Sequence, residues 1–410
     1  MYRIVALLAL SAWAFTLASG LSESLAADRY INTSIEVVKE YNSNVLFTEK
    51  DKKGDFIIRI KPKIQVYNDS ERTRVQFTSS MNGEKYIKNP DMDTIETDNA
   101  LSITHAWTQK FSTSLSGFFR RDETLDALLE STGVVTSRQE RISYGAELAA
   151  SYTPSPTREL RGGVVGGFTD YPQGYYPDQQ FIQAYLDHSW RLTPRATVGV
   201  LVGGSLIDYK DEATNDTVHG TVYGRYDWDQ TTTLEAGVGG RFTWLEQHVL
   251  SSTPTVKLVD DDLIFVYPVV TEDSSDPGLL FNAGITKNWT PRFSSSLQVG
   301  REQYNSADVV SAERNFVRTV FNYKYSDYVS MGLRLGCNLN IEESSADTDK
   351  TRYLTTASWL RWRLSETLTA GVGGSCEYSV EDVGSADIDR DRYRLWVSIT
   401  NEWPRLFENH

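Results

Sequence analysis

The 410-residue sequence contains only two cysteines and five histidines, and this scarcity limits its chemistry. Because the first cysteine is Cys337, no cysteine near the N-terminus can carry a lipid anchor. The histidines, which show no metal-ligand spacing, are His105, His188, His219, His248 and His410. No nucleophile is recognisable beside a base. The sequence therefore predicts that the protein is not an enzyme and has no metal site and no cofactor.

Basic residues are outnumbered, and the formal net charge at pH 7 is -14. A general nucleic-acid-binding protein needs a basic face to neutralise phosphates, so nucleic acid is not an expected partner. After Asp28 there is no apolar run long enough for a transmembrane helix. The chain nevertheless carries 22 Tyr, 16 Phe and 10 Trp, spread throughout, which excludes a disordered polypeptide.

The N-terminus has the pattern of an export signal. A basic residue, Arg3, precedes an apolar run from Ile4 to Leu17, and small residues follow before Asp28. The alternative is a membrane anchor, but the run is shorter than the roughly 20 residues that a spanning helix needs. We therefore predict a signal peptide at residues 1–27, cleaved after Ala26 or Ala27, and a single domain at residues 28–410.

Alternation of apolar and polar residues with a period of two extends through the rest of the chain, and convincing helical periodicity is almost absent. In one segment Ile142, Tyr144 and Ala146 alternate with Arg141 and Ser143. We count about eighteen such segments of roughly 9 to 13 residues, which is the length of a tilted strand that crosses a bilayer.

Short and long connections alternate between these segments. The short ones fall near Asn68–Arg72, Gln109–Lys110, Thr153–Thr157, Leu192–Arg195, Asp229–Thr231, Asn288–Arg292, Ser326–Tyr328 and Ser365–Thr367. The long, polar ones fall near Asn42–Asp55, Asn82–Asp93, Arg121–Glu140, Asp170–Gln179, Lys210–Asp216, Glu246–Pro277, Tyr304–Arg314, Glu342–Thr351 and Glu381–Asp391. This asymmetry predicts an all-β fold: a transmembrane antiparallel up-and-down β-barrel of about eighteen strands, with sixteen as the alternative. Such a barrel lies in the outer membrane of a Gram-negative bacterium, with its short turns in the periplasm.

Four of the short turns follow a tryptophan, at Trp107, Trp190, Trp228 and Trp289. In a membrane barrel, aromatic side chains form girdles where lipid meets water, and we expect these four in such a girdle. A soluble propeller also repeats hairpins, but both faces of its sheets are buried. In this sequence the residues on one face of each predicted strand are polar or glycine, which does not fit a propeller. Glycine clusters such as GVGGRF lack the lysine and hydroxyl of a phosphate-binding loop.

The lumenal face predicted from parity is basic. Its basic residues are Arg59, Lys61, Lys63, Arg74, Arg120, Arg141, Arg161, Arg225, Arg241, Arg318, Arg334 and Arg394. Inward acids are roughly half as many, and they include Glu147, Asp227, Glu235, Glu377 and Glu402. Rings of Arg and Lys favour anions, so one hypothesis is an anion or polymer path. The alternative is that arginines pair with carboxylates and brace the wall. Aromatic residues of the same face, Tyr185, Tyr209 and Tyr223, are candidates for low-friction contacts with a polymer.

The first hairpin resembles a known family. In EYNSNVLF, residues Glu40, Tyr41, Asn42, Asn44 and Val45 match the N-terminal signature of the β-barrel porin 2 family, with Ser43 in place of the usual Asp. The resemblance covers only the first strands. It implies a barrel that works with exopolysaccharide synthesis machinery and exports the polymer across the outer membrane.

Three functions remain open at this point. The first is export of a polysaccharide, with a periplasmic polysaccharide-export protein as partner and outer-membrane lipid and lipopolysaccharide around the barrel. The second is a general or anion-preferring diffusion porin, which should fold a long loop inward as a constriction, with Glu246–Pro277 as the only candidate. The third is a surface adhesin or structural barrel, in which the loops carry the function.

Overall fold

The strands form one antiparallel ladder that closes on itself. The computed structural model describes residues 28–131, 137–250, 255–259, 262–266, 269–305, 311–343, 348–383, 386–404 and 408–409. The predicted signal peptide, residues 1–27, lies outside the described residues. Strands β1 to β11 are Asp28–Asn42, Asp55–Asp69, Thr73–Tyr86, Thr94–Ala106, Phe111–Glu123, Glu140–Ser155, Arg158–Asp170, Gln179–Thr193, Ala196–Tyr209, Ala213–Asp227 and Thr232–Leu250. Strands β12 to β21 are Thr255–Val259, Asp262–Val266, Val269–Thr290, Phe293–Asn305, Ser311–Lys324, Val329–Glu343, Thr348–Arg363, Leu368–Val383, Ala386–Trp403 and Glu408–Asn409.

Eighteen of these strands, β1–β11 and β14–β20, form the barrel wall. The wall closes where β20 pairs with β1, from Thr33 opposite Trp403 to Asn42 opposite Arg394. Strand β21 continues the ladder beside Arg29 of β1, and β12 and β13 form a separate hairpin. The predicted closed barrel of eighteen antiparallel strands is confirmed. Closure gives every wall strand a hydrogen-bonded neighbour on each side, which a lipid environment requires.

Two connection types mark the two ends of the barrel, which we call the turn end and the loop end. The eight short turns fall where they were predicted, between the paired ends of the strands.

The predicted strand lengths are wrong, because the wall strands run from 13 to 22 residues. Lys210–Asp216, predicted as a long loop, is mostly strand: β9 ends at Tyr209 and β10 begins at Ala213. The polar residues there continue the hydrogen-bonded ladder, which composition alone does not reveal.

The repeated Thr-Pro-Arg sequence builds the same turn twice. The Thr193 hydroxyl accepts the backbone N–H of Arg195 at 3.2 Å, and the Thr290 hydroxyl accepts that of Arg292 at 3.2 Å. Each arginine then donates to a carbonyl of the next turn along the barrel, Arg195 to Trp228 and Arg292 to Tyr325. The repeated sequence therefore forms a turn that is hydrogen-bonded to the next turn of the barrel.

The outer face of the wall is apolar. Leu148, Leu354 and Leu395 are more than half exposed, and alternate residues on the same strands point into the barrel. A protein surrounded by water rarely exposes apolar surface of this extent, so this face is in contact with lipid. No helix among the described residues is long and apolar enough to cross a membrane.

Two further elements lie in the connections at the loop end. A 3-10 turn occupies Pro90–Met92, and helix α1 occupies Thr124–Ser131 between β5 and β6. The Thr124 hydroxyl accepts the backbone N–H of Gln139 at 3.0 Å, which ties the start of α1 to the start of the returning chain. These contacts set the direction in which α1 leaves the wall.

Candidate functional site

All twelve basic residues predicted for the lumen occupy inward-facing positions of the strand ladder. Eight of them contact a carboxylate. The pairs are Arg59 with Glu40 and Glu84, Arg74 with Asp69, Arg120 with Asp98, Arg141 with Asp122, Arg161 with Glu159, Arg225 with Asp227 and Glu235, Arg241 with Asp276 and Glu313, and Arg394 with Glu377. For these eight, the structure supports the bracing alternative.

Arg241 is a clear case of bracing. Its side chain has 0% exposed surface, and its Nη2 lies 2.5 Å from Asp276 Oδ2 and 2.6 Å from Glu313 Oε1. Its Nη1 also donates to the Thr243 hydroxyl at 2.9 Å. A solute in the lumen cannot reach this guanidinium. The prediction that Arg241 lines the path is therefore wrong, because its neighbours enclose it.

Helix α1 folds into the lumen at the loop end. Asp126 Oδ1 lies 2.7 Å from Nη1 of Arg392, which is on the inner face of β20. Leu125 and Leu129 are buried in one cluster with Phe47 and Tyr353. The sequence interpretation, which placed Arg121–Glu140 outside as a loop, is wrong for this helix. Glu246–Pro277 is therefore not the only inward candidate.

The ion pair of Asp126 sits in a larger network. Arg392 has 0% side-chain exposure and lies 2.6 Å from Glu377 Oε2, and Arg394 pairs with the other oxygen of the same carboxylate. Partial desolvation raises the pKa of Asp126, but the guanidinium groups of Arg392 and Arg394 outweigh it and hold this pKa below its ordinary range. Asp126 is thus ionised at neutral pH and holds α1 against the wall.

The outer part of the β15–β16 hairpin also leans inward. The β14–β15 ladder stops at Phe281 opposite Arg301, although β14 continues beside β11 as far as Val269. Gln303 Nε2 then donates to the Thr243 hydroxyl of β11 at 3.2 Å. This hairpin and α1 narrow the lumen at the loop end from two sides.

Four of the predicted basic residues have no carboxylate partner among the described residues: Lys61, Lys63, Arg318 and Arg334. Arg361, which sequence reasoning missed, is a fifth such residue, and it follows the same parity along β18. The guanidinium of Arg318 lies 5.7 Å from the centre of the Phe316 ring, and that of Arg334 lies 5.9 Å from the centre of the Trp359 ring. Such contacts leave the positive charge available to a solute.

Four of these five residues, Lys61, Arg318, Arg334 and Arg361, border a lumenal cavity of about 1030 Å³. Its lining on β16–β20 includes Arg318, Arg334, Arg361, Trp359 and Trp396. On β1–β5 the lining is mainly acidic, with Glu36, Glu40, Glu84, Glu96 and Asp122. The predicted excess of inward base over acid did not include this group of acids, of which Glu84 and Asp122 had been read as loop residues. The cavity therefore has a basic side on β16–β20 and a mainly acidic side on β1–β5.

Two tryptophan rings lie flat against the cavity wall. The Trp359 ring covers Gly332 on β17, and the Trp396 ring covers Gly373 on β19, so closely that neither glycine has room for a Cβ. Both tryptophan side chains are half-buried and border the lumenal cavity. Glycine is needed at these positions because the ring occupies the space of a side chain.

The three lumenal tyrosines proposed as contacts for a polymer differ in access. Tyr185 donates to Glu147 Oε1 at 3.0 Å, and Tyr223 donates to Asp187 Oδ1 at 2.7 Å. Tyr209 is only 1% exposed and packs in a core cluster at the loop end. The assignment of Tyr209 to an open path is therefore wrong, since burial removes it from the lumen.

The four predicted girdle tryptophans lie at the turn end with outward parity. Trp107, Trp228 and Trp289 are more than half exposed. Trp107 Nε1 donates to the Thr113 hydroxyl at 2.9 Å, Trp289 Nε1 donates to the Ser295 hydroxyl at 2.8 Å, and the Trp190 ring packs on His188. Their assignment to a lipid–water interface remains a prediction.

Titratable and nucleophilic groups are dispersed. Within the described ranges, no group of three or more His, Cys, Asp and Glu side chains is arranged to hold a metal ion. Cys337 and Cys376 are free, exposed and on the non-adjacent strands β17 and β19.

A closed barrel of eighteen strands with an apolar outer face and a polar, partly open lumen is an outer-membrane barrel of a Gram-negative bacterium. No family model and no curated protein matches the sequence. Solved structures similar to this chain include OccK1 (OpdK) of Pseudomonas aeruginosa, with 10% identity, a TM-score of 0.49, and coverage of 91% of this chain and 99% of that chain. Others are the ferric-catecholate import receptor Fiu of E. coli K12 (8% identity, TM-score 0.48, coverage 90% and 81%) and the copper transporter OprC (8%, 0.49, 91% and 81%). At such identities and scores, none of them indicates a substrate.

Proposed function

We propose that this barrel translocates an exopolysaccharide across the outer membrane to the cell surface. The observation that carries the proposal is the cavity wall on β16–β20, where unpaired guanidinium groups and flat aromatic rings lie side by side. Arginine in a pore favours anions, and aromatic faces suit the apolar faces of sugar rings. The resemblance of the first hairpin to the β-barrel porin 2 family supports the same function.

The proposed partners follow from the position of each surface. A periplasmic polysaccharide-export protein would deliver the polymer at the turn end. Outer-membrane lipid and lipopolysaccharide would surround the apolar outer face. Helix α1 and the β15–β16 hairpin would make the loop end the narrowest part of the route.

A second candidate is an anion-preferring diffusion channel. The specific observation that favours it is α1, because diffusion porins fold a loop inward as a constriction and Asp126 anchors this helix inside the lumen. This function requires only small anions to pass, whereas export requires an extended polymer to pass beside α1.

Deletion of the gene tests the proposed function. We expect loss of surface polysaccharide and its retention in the periplasm, both restored by the wild-type gene, when polymer is quantified in the two fractions. Intact surface polysaccharide in the deletion strain would contradict export. If the purified barrel then conducts small anions in planar bilayers, the diffusion channel is the function.

A further inference from the structure

We propose that Trp359, Trp396, Arg318, Arg334 and Arg361 form a binding site for acidic sugar residues, with uronic acids as the ligand class. The proposal rests on the proposed function and makes it more specific, because it names the chemistry of the polymer that the lumen accepts. The site lies on the inner face of β16–β20 and borders the lumenal cavity.

The strand register places the two tryptophans in one row of the wall. Gly332 is opposite Trp359, Trp359 is opposite Gly373, and Gly373 is opposite Trp396. The two tryptophan positions are therefore two strands apart, a separation of roughly 9.5 Å. Because each ring lies flat over a glycine, the row presents two aromatic faces to the lumen. A flat ring parallel to the wall can stack on the apolar face of a pyranose.

Guanidinium groups lie on both sides of this row. Arg334 is the next inward-facing residue of β17 toward the loop end, two residues after Gly332, and it lies opposite Ala357. Arg361 is the next inward-facing residue of β18 toward the turn end, two residues after Trp359, and it lies opposite Gly371. Arg318 lies further toward the loop end, in the row of Gly336. All three side chains are exposed in the lumen. Guanidinium binds carboxylate through two parallel hydrogen bonds, so a sugar stacked on Trp359 can place its carboxylate against Arg334 or Arg361.

The acidic side chains on the opposite side of the cavity do not reach these arginines. Glu36, Glu84 and Glu96 line the same cavity, yet none of them contacts Arg318, Arg334 or Arg361. On β1–β5 these acids outnumber the two basic lining residues, Arg59 and Lys61, and the excess negative charge would repel a uronate toward β16–β20. A neutral sugar would gain from the rings alone, and an inorganic anion from the guanidinium groups alone. Only an acidic sugar uses both features.

Binding to the purified full-length barrel tests this site. The probes are short oligomers of galacturonic acid and of glucose, matched in length and titrated by calorimetry. We expect the wild type to bind the galacturonate oligomer more tightly. The double variant Arg334→Gln/Arg361→Gln should lose about tenfold affinity for galacturonate and none for glucose, because it removes charge-assisted hydrogen bonds. Trp359→Ala should weaken both.

Two matched controls lie on the same strand with outward parity. Trp362→Ala removes an indole from the outer face, and Arg352→Gln removes a guanidinium that pairs with Asp382 outside the lumen. Both controls should bind the two oligomers as the wild type does. Equal affinity of the wild type for the two oligomers, no binding of either by the folded barrel, or equal losses in the controls would overturn the site.

The cellular assay separates failure of the site from failure of the function. If the deletion strain loses surface polymer but the purified barrel shows no preference for galacturonate, the acidic-sugar site is rejected and export stands. If the deletion strain keeps its surface polymer, export is rejected. The proposal that the acidic-sugar site takes part in export is then rejected as well.

Discussion

Two groups of lumenal arginines share a strand parity but differ in their neighbours. Arg392 lies opposite Glu377, and Arg241 reaches Asp276 and Glu313, so both are fully enclosed. Arg318 lies opposite Gly336, and Arg334 lies between Val320 and Ala357, so neither has a carboxylate in reach. Strand parity therefore predicts that an arginine faces the lumen. The side chains on the neighbouring strands determine whether its guanidinium forms ion pairs within the wall or remains accessible to a solute.

The two groups also occupy different parts of the barrel. The enclosed arginines cluster near the loop end, where α1 and the β15–β16 hairpin cross the lumen. The unpaired ones extend toward the turn end along the open cavity. The loop end is thus a braced constriction, and the turn-end half is a vestibule with a free positive wall.

The largest expected effect comes from an enclosed arginine. Arg241→Gln should lower the free energy of unfolding by about 3 kcal/mol, because it removes a fully buried guanidinium from its ion pairs with Asp276 and Glu313 and leaves Glu313 with Arg301 alone. Denaturant unfolding followed by heat-modified mobility on gels measures the change. The comparison variant is Arg318→Gln, for which we expect almost no change. Similar losses in the two variants would show that the two groups do not differ.

A second substitution sharpens the contrast between the inner and outer faces of the same wall region. Leu333→Arg puts a charge on the lipid face of β17 and should cost roughly 2 to 4 kcal/mol near the bilayer midplane. Asn322→Arg puts the same charge on the exposed lumenal face of β16 and should be tolerated. Yield of folded barrel in vesicles measures both, and equal damage would mean that the faces are assigned wrongly.

The constriction itself is open to a milder test. Asp126→Asn removes the charge that holds α1 to Arg392, so single-channel conductance should rise while the barrel stays folded. Because the pKa of Asp126 is lowered in the folded protein, its contribution is present above the ordinary carboxyl range. The stabilisation of α1 by ionised Asp126 is lost only when the pH falls through the lowered pKa of Asp126. The difference in conductance between the wild type and Asp126→Asn should therefore stay constant from neutral pH to about pH 5.

Asp229→Asn is the control for this experiment. Asp229 also has a lowered pKa, caused mainly by its hydrogen bond with the Thr231 hydroxyl, but it lies in a turn at the opposite end of the barrel. Its substitution should leave conductance unchanged. An increase in both variants, or in neither, would show that Asp126 does not hold a constriction in place.

How far the sequence predicts this structure depends on the range of each signal. Period-two alternation is local, so the strand count, the turns and the face of each of the twelve basic residues could be inferred from it. Helix α1 could not, because the apolar residues Leu125, Leu128 and Leu129 span little more than one helical turn inside a polar segment. Arg392 was missed although it follows directly after the predicted acidic loop Glu381–Asp391, and parity from Arg394 would have found it.

Ion-pair partners lie beyond what such patterns encode. Glu40 and Glu84 reach Arg59 from two different strands, and Asp126 reaches Arg392 across 266 positions of sequence. Those contacts depend on strand register and on the path of a loop, neither of which is written in alternation. The division between braced and available arginines therefore needed the structure.

The reversal potential of the triple variant Arg318→Gln/Arg334→Gln/Arg361→Gln in planar bilayers tests most directly whether these arginines line an aqueous path. We predict that the variant folds with wild-type stability and that its preference for anions over cations falls, because inward charge sets the selectivity of a pore. A folded triple variant with unchanged reversal potential would contradict the account.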